Sequence, residues 1–189
     1  MLGLKRGTVK LEPHQNEWVK EAEKTIEELK YLLGDIAVDI QHIGSTAISS
    51  IHAKPIIDIA IGVRDLNDIL PYIEILQKNS FIFRGEDIPN QLLFVMGDLT
   101  ENVLTHHIHV VKWNGLQWNN YINFRDYLNS FPQKAEMYDN YKQSLAIHFS
   151  ENRRCYTEKK RAVIASILEQ ANYWRSNNMR SLTGKDYEI

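Results

Sequence analysis

Two neighbouring stretches, Ile36-Ala-Val-Asp-Ile-Gln-His-Ile-Gly-Ser-Thr46 and Pro55-Ile-Ile-Asp-Ile-Ala-Ile-Gly-Val63, decide the fold class. In the first, Ile36, Val38 and Ile40 fall on one face at period two, which predicts a strand over 36–42 running into a turn at Gly44. The second is almost continuously apolar and β-branched, the pattern of a central strand covered on both faces. One charge, Asp58, interrupts it. A carboxylate ionised inside a covered sheet costs several kcal/mol unless it is paired or bound to a metal. Asp58 therefore needs a cation such as Lys54 or Arg64, or an ion.

Working outward, Thr8 to Leu11 reads as a short extended start before Pro13. Trp18, Ala22, Ile26, Leu29 and Leu33 then recur at steps of three and four, predicting an amphipathic helix over 16–33. Downstream, Asp65 can cap a helix carrying Leu66, Ile69, Ile73 and Leu76, and Pro71 predicts a late start or a kink in it. Residues 81–84, 91–96 and 106–111 are further strand candidates, with 85–90 and 97–100 as loops. From 117 to 175 the pattern is helical, and the helices at 133–149 and 157–175 are expected to pack on the sheet. Residues 176–189 are polar and aperiodic, the signature of a fraying tail. The expectation is one α+β (α/β-like) domain over 1–175, with a small mixed sheet of about five strands and a C-terminal helical layer.

The composition narrows the function classes. With 189 residues, 43% hydrophobic and 24% charged, the chain is neither disordered nor a coiled coil. A single cysteine, Cys155, excludes an intramolecular disulfide and a cysteine-only zinc cage. Lys+Arg 22 against Asp+Glu 24 gives a net charge of -2, which argues against a duplex nucleic-acid partner. No stretch approaches the ~18 apolar residues of a membrane span. The start, Met-Leu-Gly-Leu-Lys-Arg, lacks the apolar centre of a signal peptide, so a cytoplasmic location is expected.

Three features can carry chemistry, and each has an ordinary alternative. Gly44-Ser45 at a strand end can bring backbone amides and a hydroxyl to a phosphate; it can equally be a plain turn with Ser45 or Thr46 as a helix cap. Asp58 can hold a metal or substrate, or pair with Lys54 or Arg64. In Thr105-His-His-Ile-His109, period two puts His107 and His109 on one face. Two imidazoles so spaced suit a divalent metal, but strand histidines also bond simply to the backbone.

His42-Ile-Gly-Ser-Thr-Ala47 followed by Ala53-Lys-Pro-Ile-Ile-Asp-Ile59 resembles the signature segment of the GrpB family. The likeness continues through Ile61-Gly-Val-Arg-Asp-Leu66, Arg84-Gly-Glu86, Leu93-Phe94, His106-His-Ile-His-Val-Val111 and Phe124-Arg-Asp-Tyr-Leu128. Tyr138, Tyr141-Lys142, Tyr156-Thr157 with Lys160, and Glu12-Pro13 ahead of Trp18 extend it over residues 8–172. Ala47-Ile-Ser-Ser-Ile51 departs from it, standing where a Val-Pro-Gly-Leu run is usual. The resemblance implies a fold of the nucleotidyltransferase superfamily, whose active members carry Gly-Ser at one strand end, Asp-x-Asp on the next strand and a third carboxylate on a later one. Gly44, Ser45 and Asp58 match that pattern. Ala60 stands at the second aspartate, and His107 or His109 where the third carboxylate is expected.

Three functions follow from the resemblance. One is transfer of a nucleotidyl or phosphoryl group from a metal-bound nucleotide to an acceptor. Another is binding of a nucleotide or other phosphate-containing small molecule without catalysis. The third is a histidine–carboxylate metal enzyme on the same sheet. Asp58, His107 and His109 are the expected catalytic residues of the two enzyme readings and the expected metal-holding residues. The ion would be Mg or Mn, with Zn or Fe suiting the histidines better. His42, Gly44, Ser45, Lys54, Arg125, Lys142 and Lys160 are the expected nucleotide or phosphate contacts, the last three having solvated helix-face charges as their alternative. Trp113 and Trp118 read as packing or lid residues.

Overall fold

The computed structural model describes residues 2–183 of the chain, with side chains to residue 178. Strand β1 (Leu4–Lys5) precedes helix α1 (Asn16–Leu33), then come β2 (Ala37–Ile43), β3 (Ile57–Val63), α2 (Ile73–Lys78), β4 (Ile82–Ile88), β5 (Gln91–Asp98) and β6 (Val103–Lys112). Helices α3 (Leu116–Ser130), α4 (Pro132–His148) and α5 (Arg153–Thr183) close the chain. The sheet is mixed, in the order β2-β3-β6-β5-β4: β3 and β6 run parallel, and the other pairs along it are antiparallel. Asp58 thus lies on an interior strand, hydrogen-bonded to β2 on one side and β6 on the other.

Side-chain alternation sorts the sheet into two faces. Ile57, Ile59, Ile61 and Val63 of β3, with Ile108 and Val110 of β6, pack under α1 and α2 in the main core with Leu29, Leu33, Ile69 and Leu76. Each fully buried aliphatic chain of this kind contributes about 1.5–3 kcal/mol. The other face carries Asp58, Ala60 and Gly62, and at its Ala60 end Ile43, Val111 and Trp118 form a smaller cluster with α3. Helices α3, α4 and α5 share a further core of Phe124, Tyr127, Leu128, Tyr138, Ile167 and Ala171. Coverage of both faces is the reason β3 reads as an unbroken apolar run.

Trp118 packs in the smaller cluster and Trp113, 45% exposed, lies over Gly62: a Cβ placed on Gly62 would come within 2.9 Å of Trp113 and 3.0 Å of Trp118. Pro71 acts as expected, confining Leu66–Tyr72 to a 3-10 helix before α2 begins. Asp65 caps that segment, accepting from the Asn67 amide at 2.8 Å.

Ahead of the extended start expected at Thr8–Leu11, Leu4–Lys5 forms a strand that the sequence did not mark, which pairs with β6 at Leu104 and Val103, beyond the point at His106 where β3 begins to pair. Three local expectations are corrected. Residues 85–90 are mostly strand, since pairing with β5 carries β4 to Ile88 through two register shifts. Only Pro89 and Asn90 turn, Asn90 having φ 64°. Of the expected loop 97–100, Gly97 and Asp98 still pair with β6. Residues 176–183 continue α5, while 184–189 of the expected tail lie outside the described residues.

Candidate functional site

The parallel register of β3 and β6 sets Asp58 beside His107 and Ala60 beside His109, all on the face turned to α3–α5. His107 Nδ1 lies 3.1 Å from Asp58 Oδ1, and His109 Nε2 lies 3.6 Å from the same oxygen. Burial pushes the Asp58 carboxyl up, but hydrogen bonds from the two rings outweigh it and hold the group well below the usual carboxylate range. His106 faces the other way, buried against Thr25 of α1.

Gly44 at the end of β2 has φ 71°, and a Cβ there would sit 2.5 Å from Asp58 Oδ2. The glycine therefore answers two demands, a left-handed backbone and close approach to the carboxylate. It occupies the cap position of the short Ser45–Ala47 turn without any side-chain cap bond. Thr46 instead bonds His42 Nε2 at 2.9 Å.

A cavity of about 310 Å³ opens beside Asp58, lined by Ser45, Lys54, His107, His109, Lys142, Arg153 and Lys160 among others. Lys54 and Lys160 both stand over the Tyr156 ring, 5.4 and 5.5 Å from its centroid. Burial, together with the charges of Lys160 and Arg153, pushes the Lys54 ammonium down to about 7. Burial also lowers Arg153. These cations crowd one another, which raises the positive potential of the cavity. A second cavity of about 200 Å³ shares Ser45, Asp58 and Lys160 with the first; Gly44, Tyr121, Phe124, Tyr138 and Ile164 are among its lining.

Not every expected contact reaches these cavities. Arg125 donates to Gln41 Oε1 at 2.8 Å and to the His42 carbonyl at 2.9 Å and pairs with Asp126, tying α3 to β2. His42 is likewise absent from both linings, and burial pushes it down to about 4. Lys142 does line the first cavity but is only 1% exposed, donating to the His52 carbonyl and lying 3.4 Å from Asp139. Conversely, Arg153 and Asp87 line the cavity without any signal in the sequence, and Tyr156, part of the matched Tyr156-Thr157 segment, lines it as well. Arg153 sits in an ordinary-looking polar run, and only the packing of α5 brings it to the sheet.

Asp58, His107 and His109 offer three metal-donor atoms within 4.8 Å of one another. Two imidazoles and one carboxylate suit a single borderline ion such as Zn, Mn or Fe better than Mg. A two-magnesium centre does not fit, because Ala60 removes one carboxylate and β6 supplies histidines in place of another.

A mixed sheet with Gly-Ser closing one strand and an aspartate on the adjacent one, backed by a helical layer, is the nucleotidyltransferase fold. Cid1 poly(U) polymerase with MgGTP shares it at a TM-score of 0.51 and 14% identity, over 71% of this chain and 44% of that one. Within that class the chain belongs to the GrpB family: residues 8–170 match the family described as GrpB protein. The glutamate-rich protein GrpB of Alkalihalophilus pseudofirmus is 34% identical over 173 residues, 90% of this chain and 99% of the relative. UPF0157 protein YqkA of Bacillus subtilis is 31% identical over 86% of this chain but only 47% of its own length, so the chain spans about half of that protein. The crystal structure of the conserved protein GrpB from Enterococcus faecalis matches with a TM-score of 0.80 and 27% identity, covering 87% of this chain and 99% of that one. No helix among the described residues is long and apolar enough to cross a membrane.

Proposed function

We propose that the chain binds the phosphates of a nucleotide beside Asp58 and transfers a nucleotidyl or phosphoryl group to an acceptor hydroxyl. One observation carries this reading: Ser45, Lys54, Arg153 and Lys160 line the same cavity as Asp58, His107 and His109. Lys54, Arg153 and Lys160 neutralise the phosphate chain and the charge that develops on the leaving phosphate. In the transfer, the acceptor oxygen forms a bond to phosphorus, the bridging P–O bond breaks, and the hydroxyl proton passes to a ring nitrogen of His107. Asp58, 3.1 Å from His107 Nδ1, orients that ring and stabilises its cationic form. If a divalent ion is bound with the nucleotide, Asp58, His107 and His109 are the residues that would hold it, His107 then giving up its role as base, and the ion would supply charge stabilisation of the phosphoryl oxygens.

The test is a thermal-shift series with nucleotides and divalent ions. Ligand at ~100 times its dissociation constant adds about 2.7 kcal/mol, which for a chain of this size is roughly 5–11 °C. Asp58→Asn should remove most of an ion-dependent shift. A second reading, nucleotide binding without transfer, draws on Ala60 at the second aspartate position. It is supported if the shift is indifferent to ions and to Asp58→Asn. No shift with any nucleotide refutes both.

A further inference from the structure

Behind His109 stands a buried carboxamide, Gln91, only 1% exposed at the start of β5. Its orientation is constrained on three sides. Tyr121 donates its hydroxyl to Gln91 Oε1 at 2.6 Å. Gln91 Nε2 donates to the Asp87 carboxylate, at 3.0 Å from Oδ1 and 3.2 Å from Oδ2. The same nitrogen lies 3.1 Å from His109 Nδ1. An ionised carboxylate only accepts, so the amide cannot turn over without setting its oxygen against Asp87. His109 Nδ1 therefore meets a donor and must itself accept.

We propose that Gln91 is a positioning residue that selects the tautomer of His109. With Nδ1 accepting, the ring proton of neutral His109 sits on Nε2 and points at Asp58 Oδ1, 3.6 Å away. Coordination of a metal through Nε2 needs the opposite tautomer, with Nδ1–H donating to an acceptor. Gln91 supplies no acceptor there, so it opposes metal capture by Nε2 of His109. His107 is under no such constraint: its Nδ1 faces Asp58, and no hydrogen bond from its Nε2 is seen among the described residues. The trio is thereby biased toward a carboxylate holding two ring N–H groups, and Nε2 of His109 is free for a metal only when the Gln91 amide reverses or is replaced. The inference concerns the ligand-free protein and does not depend on whether the cavity takes a nucleotide.

Long-range 15N–1H spectra of the metal-free, nucleotide-free protein read the tautomer directly. The expected result is His109 with a bare Nδ1 and a protonated Nε2. Gln91→Glu, made together with Asp87→Asn so that two carboxylates do not meet, should move the proton to Nδ1, and Gln91→Met, which neither donates nor accepts, should give a mixture. Zn and Mn affinity, measured by calorimetry, should rise about 10–100-fold in the variant carrying Gln91→Glu with Asp87→Asn. A smaller rise is expected in Gln91→Met, where no charge is added. A wild-type spectrum with the proton on Nδ1 overturns the proposal even if neither variant folds. So does an unchanged tautomer in both folded variants, or metal affinity in both within twofold of wild type.

Discussion

Gly44→Ala tests the geometry of the site most directly. The residue sits at φ 71° and ψ -167°, a backbone region that costs an L-residue about 1–3 kcal/mol. The added Cβ would lie 2.5 Å from Asp58 Oδ2, 2.9 Å from its Cβ and 3.1 Å from its Cγ, so the carboxylate must move. Moving it weakens the 3.1 Å contact with His107 Nδ1, a charge-assisted bond of about 1.5–3 kcal/mol. The total is a loss of about 4 kcal/mol, or roughly 8–16 °C in melting temperature. Urea denaturation of four proteins, wild type, Gly44→Ala, Asp58→Ala and the double variant, separates the two parts. In the Asp58→Ala background the Oδ2 and Cγ contacts vanish and the Cβ contact remains. There the alanine should cost about 2 kcal/mol, leaving a coupling of about 2 kcal/mol between the sites. An equal cost in both backgrounds, or a cost under about 1 kcal/mol in the wild type, refutes the claim that Gly44 is required by the closeness of Asp58.

Three further predictions follow from the same contacts. Burial pushes His106 down to about 4. Between its ordinary value near 6.5 and 4 the unfolded chain therefore binds the proton first, and stability falls with pH across that window, by about 2 kcal/mol at pH 5. His106→Gln should flatten the acid limb of a stability-versus-pH curve, leaving the same-signed contribution of His42; an unchanged slope contradicts this. Lys54 at about 7 loses its charge just above neutrality. Sulfate, whose own charge is constant there, should bind more weakly at pH 8.5 than at pH 6.5, and Lys54→Arg should reduce that dependence in calorimetric titrations. Gly62→Ala drives a methyl into Trp113 and Trp118 at 2.9 and 3.0 Å, so overpacking of about 1–3 kcal/mol and altered tryptophan fluorescence are expected; an unaltered midpoint and spectrum would argue against close packing there.

The sequence by itself determined the elements whose periodicity is strong. Helix α1 spans Asn16–Leu33 as its apolar stripe requires, β3 reads as a doubly covered strand, and Pro71 marks a 3-10 segment. It also singled out Asp58, because a charge in an apolar run has no local explanation, and His107 with His109, because period two puts them on one side. Weakly patterned stretches were beyond it. Nothing local marks Leu4–Lys5 as a strand, and the bulged end of β4 is held by hydrogen bonds to β5 that no hydropathy pattern encodes.

The site was decided by tertiary structure. Asp58 meets His107 through a parallel register across 49 residues of chain, and only the packing of α5 brings Arg153 to the cavity while Arg125 is drawn into bonds with β2. Gln91 looks like any polar residue opening a strand; its orientation comes from Tyr121 and Asp87, on two other elements. Local sequence records which face a side chain occupies, because backbone geometry repeats every two or 3.6 residues. The partner it meets there is set by strand register and helix packing, which depend on the whole chain at once.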